Sequence, residues 1–554
     1  MPRPAALLIV LVAAVSSLLA GCASPPQVLE ISPARGAVDV RSSEVIRVRF
    51  DRSMDRRSVA EHFAVSPRIQ GALRWPSDSE LTFEHVPLDP STQYQVILEP
   101  GYRDAQGTVN SLRHSWNFST EGPPSLTGSS PAAGDLSVDP AAYISLSFTR
   151  AMDLRSLPPT ISVSPSVAFS LRQDPSDARR VILAPEALLA PNQPYTVAVT
   201  QDARDAHGNA LRNGSAISFS TGDLATLKHW IGFVAQPRSA DAGDGVWIVD
   251  ENRFPRRVVS ASVDQFAWSP DGTHVLLRSA AGGWYDQSLT GAATTLPFTA
   301  DWAAFLAPGK GYVYLDHGSL NMLTPNGTVV GVASNVGEAG VAPGGARLAF
   351  TVTATGGAEV DGYSVDLRAR YRLQSESGPI DQLAWSPDGQ SLAYRLVAGD
   401  PARTQVRVRQ LSGAAKSLTV AVGEVSGPAW QADSRHLVVT AFVPGSSASS
   451  GSGSAGSAGS GASGGRISKA FRLTVGDPPP ATLSAAQGMP GTAGLNVKQV
   501  SVSPDGHQVA FLADYQGLPA IWLMNADGTG VTRLTEFDTG GLGYSCRDIA
   551  WTPV

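Results

Sequence analysis

Ala267-Trp268-Ser269-Pro270-Asp271-Gly272, Ala384-Trp385-Ser386-Pro387-Asp388-Gly389 and Ser501-Val502-Ser503-Pro504-Asp505-Gly506 are three copies of one pattern. Proline presets the first central position of a tight turn, aspartate stabilises that turn, and glycine accepts the backbone angles that return the next strand antiparallel. Weaker copies are Ala304-Phe305 before Pro308-Gly309, Gly340-Val341-Ala342-Pro343-Gly344, Ala429-Trp430-Gln431-Ala432-Asp433 and Ala550-Trp551-Thr552-Pro553. The seven large residues stand 37, 36, 44, 45, 72 and 49 residues apart. With strand patterning, a period of this size denotes propeller blades. The long interval contains Ser446 to Gly465, nearly all Ser, Gly and Ala.

Each of the first six markers precedes an apolar strand, from Val275-Leu276-Leu277 to Val509-Ala510-Phe511. The residue before the large one is always Ala, Gly or Ser, as expected where innermost strands crowd around an axis and the large side chain packs between blades. The seventh marker stops after one strand, whereas Trp230–Val234 and Gly245–Val249 begin without a marker. The C-terminal strand is therefore expected to complete the sheet begun near residue 228, sealing the ring and hiding its edges. Seven blades is the first reading, with six or eight as alternatives. Residues 228–554 resemble the WD40-like propeller repeats of the TolB type, a motif that implies fold and not function.

Two related units precede the ring, residues 28–120 and 124–221. Each opens on a Ser-Pro turn, at Ser32-Pro33 and Ser130-Pro131, and reaches an alternating strand, Ile46-Arg47-Val48-Arg49-Phe50 or Ile144-Ser145-Leu146-Ser147-Phe148. Such alternation marks a strand with one face buried and one wet. Asp51-Arg52-Ser53-Met54-Asp55 and Thr149-Arg150-Ala151-Met152-Asp153 follow, and each Met can plug the end of a sandwich. A strand led by Tyr94 or Tyr195, an acidic turn (Asp104–Gly107 or Asp205–Asn209) and a closing Phe-Ser-Thr complete each unit. The order resembles the bacterial Ig-like domain of the surface-layer SbsA type, which implies a sandwich of seven strands. The fold class is thus all-β: two Ig-like β-sandwiches followed by a β-propeller. Oxygens in the acidic turns could ligate calcium. They lack the dense alternation of a dedicated site, and side-chain to backbone hydrogen bonds account for Asp and Asn there.

At the N-terminus, Arg3 precedes an apolar run from Ala5 to Ala20 that ends in Leu19-Ala20-Gly21-Cys22. The run suits a signal-peptide core better than a membrane span, which needs about 20 apolar residues with anchoring flanks. It resembles a bacterial lipobox. That resemblance implies cleavage of residues 1–21, lipid attachment at Cys22, and a tether over residues 22–27. Two or more acyl chains give stable anchoring, at about 0.8 kcal/mol per buried methylene. No later stretch approaches about 18 consecutive apolar residues, so an extracytoplasmic body anchored to the plasma or outer membrane is expected.

The net charge of −6, with no basic stripe, argues against nucleic acid as a partner. Cys546 is the one cysteine besides Cys22, and a small buried residue is the expected role for it. The nine histidines form no His-x-His or His-x-x-x-His pair. His274, His436 and His507 recur just after the blade turn, where solvent-facing positions are expected. The Gly-x-Ser-x-Gly match at residues 461–465 lies in the low-complexity segment, without the strand and helix of a nucleophile elbow. No catalytic, metal or cofactor residues are assigned. The expected function is non-catalytic binding or scaffolding of an envelope protein, peptide or glycan through a propeller face, with the segment 446–465 overhanging that face. A hydrolase or lyase working in the axial funnel is the alternative, and carboxylates or histidines clustered there would favour it.

Overall fold

The computed structural model describes residues 24–223, 227–237, 244–291, 293–411, 417–443, 467–480, 483–484, 487–515, 518–535 and 544–553. Cys22 and the Ser/Gly/Ala segment 446–465 lie outside the described residues.

The first sandwich packs one sheet, ordered Val28–Ser32, Ile46–Phe50, Glu80–His85 and Gly71–Ser77, on a second, ordered Ala37–Val40, His114–Thr120, Gln93–Leu98 and Phe63–Ser66. Alternation is realised along Ile46–Phe50: Ile46, Val48 and Phe50 are buried, while Arg47 and Arg49 are exposed. The second sandwich repeats the plan with four strands and three. The seven expected strands are thus eight in the first unit. Ala37–Val40 there pairs in parallel with the closing strand, whereas its counterpart in the second unit makes the single bridge Val138↔Thr221. Met54 and Met152 are buried and bridge to Asp104 and Asp205, so the Met plug and the acidic turn are one structure. Each unit's leading tyrosine has a matching duty, with the Tyr94 and Tyr195 hydroxyls accepting the N–H of Asp89 (3.0 Å) and Ala190 (2.9 Å). Ser145 departs from the expected wet face: it is buried, and its Oγ accepts from Arg180 Nη2 at 3.0 Å. The helix Arg56–His62, capped by the Asp55 side chain accepting from the N–H groups of Arg57 and Ser58, was not expected from strand periodicity.

Beyond residue 227 the described residues form seven sheets. Six run in sequence order, and the remaining one joins both ends of the region: Ile231–Pro237 pairs antiparallel with Tyr544–Trp551, Ile231 facing Trp551 and Ala235 facing Cys546. The marker turns share one geometry. In each strong copy the serine hydroxyl donates to the aspartate at 2.6 Å (Ser269–Asp271, Ser386–Asp388, Ser503–Asp505). The same serine oxygen accepts the N–H five residues on, at 2.9–3.0 Å. Gly272, Gly389 and Gly506 adopt φ of 70°, 64° and 75°, a left-handed conformation that penalises a Cβ.

The marker tryptophans bind the sheets to one another. Trp268 donates its indole N–H to the carbonyl of Ala550, Trp385 to Gly340, Trp430 to Ala384 and Trp551 to Ser501, at 2.9–3.3 Å. Every acceptor is the small residue just before the large residue of the adjacent marker. A bulkier side chain there would press on the indole, and this accounts for Ala, Gly and Ser at that position. Val443 pairs with Ile467, so the interval holding the segment 446–465 joins a second strand to a third, as the blade order predicts.

Candidate functional site

The innermost strands carry a second recurring position, three residues before the large one. Glu338 accepts the backbone N–H groups of Gln382 and Leu383 on the next sheet, at 2.5 and 3.0 Å. Gln382 accepts from Gly427 N at 2.7 Å, and Gln499 both donates to Ile549 O and accepts from Ile549 N. Gln382, Gly427 and Asp548 share φ of 53–65° at this position, beside irregularities in strand register. One residue earlier lies a charged set in which Asp381 pairs with Arg395 at 2.6 Å and Lys498 with Asp514 at 2.5 Å. Arg547 also donates to the carbonyls of Val263 and Asp264. Burial pushes the Glu338 carboxyl up against the pull of its two backbone N–H donors, and burial likewise raises Asp548 against its bond with Arg547. Glu338, Gln382, Gln499 and Arg547 stitch neighbouring sheets together, whereas the pairs Asp381–Arg395 and Lys498–Asp514 each lie within one sheet. Sequence reading missed them because the position holds Gln, Glu, Asp, Trp and Gly in different copies.

The histidines after the blade turn are not brought together. His274 Nδ1 lies 2.7 Å from Asp286 Oδ1, and Asp286 Oδ2 accepts from the Tyr312 hydroxyl at 2.6 Å. His436 Nδ1 lies 2.5 Å from Asp433 Oδ2 within its own turn. Cys546 is buried, which pushes its thiol up to about 12. Buried and protonated, it is a packing residue.

Two joints between domains hold further charged groups. Between the Ig-like units, the carboxylate of Glu121, only 1% exposed, meets Arg150 Nη1 at 3.1 Å, His207 Nδ1 at 2.8 Å and Asn209 Nδ2 at 2.5 Å. Arg150 also reaches Asp39 in the first unit at 2.8 Å. Glu121, Asp205 and His207 could together ligate a metal. The oxygens of Glu121 are already engaged by these donors, however, and Asp205 Oδ1 accepts the N–H groups of His207 and Asn209. Asp104 does the same for Gln106 and Thr108. The turn aspartates are thus backbone anchors. Glu121 fell between the two units in the sequence reading.

At the joint with the propeller, Arg256 is fully buried between the rings of Tyr143 and Trp230, each 5.7 Å from its guanidinium carbon. It donates to the carbonyls of Ala141 and Ala187. Beside it the Tyr143 hydroxyl donates to Asp250 Oδ1 at 2.8 Å. Burial raises Asp250 and Tyr143 and lowers Arg256. Ala141, Leu227, Trp230, Val246 and Val275 form one apolar cluster across the joint, so the second Ig-like unit and the propeller share a core.

Comparison with known proteins agrees with the N-terminal part of this division. A family model described as the bacterial Ig-like domain matches residues 23–120 and 121–221, so two such domains form the N-terminal region. No curated protein matches the chain. Among solved structures, TolB from Acinetobacter baumannii is 14% identical, with 71% of this chain and 83% of that one covered and a TM-score of 0.34. Oligogalacturonate lyase from Vibrio parahaemolyticus is 8% identical, with 57% and 88% covered and a TM-score of 0.38. Hydrazine synthase from Kuenenia stuttgartiensis is 12% identical, with 50% and 88% covered and a TM-score of 0.32. Likeness at this level defines neither an activity nor a partner, because one fold hosts many functions. Among the described residues, no helix is long and apolar enough to cross a membrane.

Proposed function

We infer that the chain is an extracytoplasmic lipoprotein, anchored to the plasma or outer membrane through Cys22, that binds an envelope protein, peptide or glycan through its propeller without catalysing a reaction. One observation carries the reading: at the recurring position of the innermost strands, Glu338, Gln382 and Gln499 are committed to bonds with the next sheet, as Glu338 is to Gln382 and Leu383. A general acid or nucleophile needs a free atom for its substrate, whereas a rigid ring with loops at both ends suits recognition. The joint at Arg256 supports the same role, since a propeller sharing a core with its neighbour is presented at a set angle. Crosslinking in the native envelope, followed by identification of the captured species, tests the reading. Recovery of a recurrent partner that the Cys22→Ser chain no longer captures supports it. Failure to capture anything from intact cells overturns it.

The alternative, a hydrolase or lyase working in the funnel, has one observation in its favour: burial raises the carboxyls of Glu338 and Asp548 on the innermost strands. Turnover of a glycan or peptide by the purified chain, abolished in Glu338→Gln, would establish it.

A further inference from the structure

A cleft of about 790 Å³ opens where the second Ig-like unit meets the first strands of the propeller. Its lining joins an indole, Trp247, to two guanidinium groups, Arg253 and Arg257, with Tyr195 and Ser170 across from them and Glu186 also on the lining. The Arg257 guanidinium carbon lies 5.9 Å from the centre of the Trp247 ring. Arg257 has no acidic partner within ion-pair distance among the described residues. Its backbone N–H donates to the carbonyl of Glu186 at 3.3 Å, yet the two side chains form no ion pair. Tyr195 is buried, and its hydroxyl accepts from Ala190 N, so its own proton is uncommitted among the described residues. An aromatic face beside an unpaired guanidinium and hydroxyl groups suits a flat ring that carries hydroxyls and a carboxylate. The sugar face would stack on Trp247, and a carboxylate would take the fork of Arg257 as two parallel hydrogen bonds.

The geometry points to a binding site for an acidic oligosaccharide, one whose sugar ring bears a carboxylate, in the cleft between the second Ig-like domain and the propeller. Its ligand would touch both domains at once. The site does not depend on which propeller face binds a partner, and it stands or falls separately from that reading.

Titration calorimetry on the full chain in detergent solution tests the site with three probes. These are a glucuronate-containing hyaluronan tetrasaccharide, the N-acetylglucosamine–N-acetylmuramic acid disaccharide, and neutral chitotetraose. Binding of either acidic probe, at least about tenfold tighter than chitotetraose and weakened about tenfold or more in Arg257→Gln, is the expected result. Which acidic probe binds decides between a uronate polymer and a cell-wall sugar. Trp247→Phe keeps an aromatic face and should retain binding within about threefold, which a collapsed cleft would not. The site is overturned if neither acidic probe binds at about 10 mM, if chitotetraose binds as tightly, or if Arg257→Gln with an unchanged melting temperature binds like the parent.

Discussion

The indole N–H of Trp268 donates to the carbonyl of Ala550 at 3.3 Å, across 282 residues of chain. This contact and the pairing of Ile231 with Trp551 close the ring between its first marker and its last. Deleting Asp548 through Val554 removes both, exposes the strand edge at Ile231 and Gly232 and opens the cluster around Phe233, Ile521 and Leu534, while Tyr544 to Arg547 keep their partners Val234 to Pro237. The truncated chain should lose the propeller transition in calorimetry cooperatively. An unchanged melting curve would mean that the ring does not need its terminal strand.

The marker tryptophans separate a hydrogen bond from a volume. Trp430→Phe keeps most of the apolar contact and loses the 2.9 Å bond to Ala384, which should destabilise the propeller by about 1 kcal/mol. Trp430→Ala also leaves a cavity between sheets and should destabilise by about 3–5 kcal/mol. Denaturant midpoints of the two variants read the difference directly.

The ring and the sandwiches were legible because their signals are local and repeated. The Ser-Pro-Asp-Gly turn needs the same side-chain bonds in every copy, so its residue types recur, and the Ile46–Phe50 alternation follows from one wet face. The joints were not legible. Glu121, Arg150 and His207 meet across the boundary of two units, and no periodicity relates Glu121 to His207, 86 positions away. Arg256 reads as one of several surface arginines until Tyr143 and Trp230 are seen on either side of it. The Glu338 position escaped notice for a further reason: its duty is to bond the next sheet's backbone, which Gln and Glu perform equally well.

The blade turns predict an acid limit to stability. In Asp433 burial pushes the carboxyl up, but hydrogen bonds from the N–H groups of Arg435 and His436 and from the His436 ring outweigh it, so the group is held at about 2 against an ordinary 3.8. Asp271, Asp388 and Asp505 are lowered in the same sense, burial again being overcome by serine and backbone donors. A carboxyl whose folded pKa lies below its unfolded one contributes stability above the unfolded value and loses it as pH falls through the folded value. The propeller's melting temperature should therefore drop between about pH 4 and pH 2. In Asp433→Asn the drop should be smaller, from a lower starting point at neutral pH, as thermal scans across that range would show.

Arg256 predicts how the second Ig-like domain and the propeller unfold together. Its fully buried guanidinium satisfies the carbonyl of Ala141, in the core, and that of Ala187, on an exposed residue. Arg256→Met keeps much of the side-chain length but leaves the buried Ala141 carbonyl without its donor, at a penalty of about 1–3 kcal/mol, while the carbonyl of the exposed Ala187 can turn to water. The parent should show one joint transition for these two domains, and the variant should show it split in two. A single unsplit transition at the parent temperature would assign the coupling to the apolar cluster alone.

Glu121 predicts how firmly the two Ig-like domains are held to each other, through the groups that neutralise its carboxylate. Its carboxylate is 1% exposed, and a buried charge is tolerated only when paired and hydrogen-bonded. Arg150, His207 and Asn209 supply those partners from the second domain, and Arg150 carries the link on to Asp39 in the first. Glu121→Gln preserves the shape and removes the negative charge, leaving the Arg150 guanidinium, 27% exposed, with Asp39 as its remaining acid. The joint should weaken by about 1–3 kcal/mol and the domains should sample a wider range of angles. Small-angle scattering would register this as a larger radius of gyration while the melting temperature of each sandwich stays near that of the parent. Because these donors already satisfy the carboxylate, adding a chelator to the parent should change neither quantity. A chelator that reproduced the Glu121→Gln profile would instead mean that a cation, and not Arg150, closes the joint.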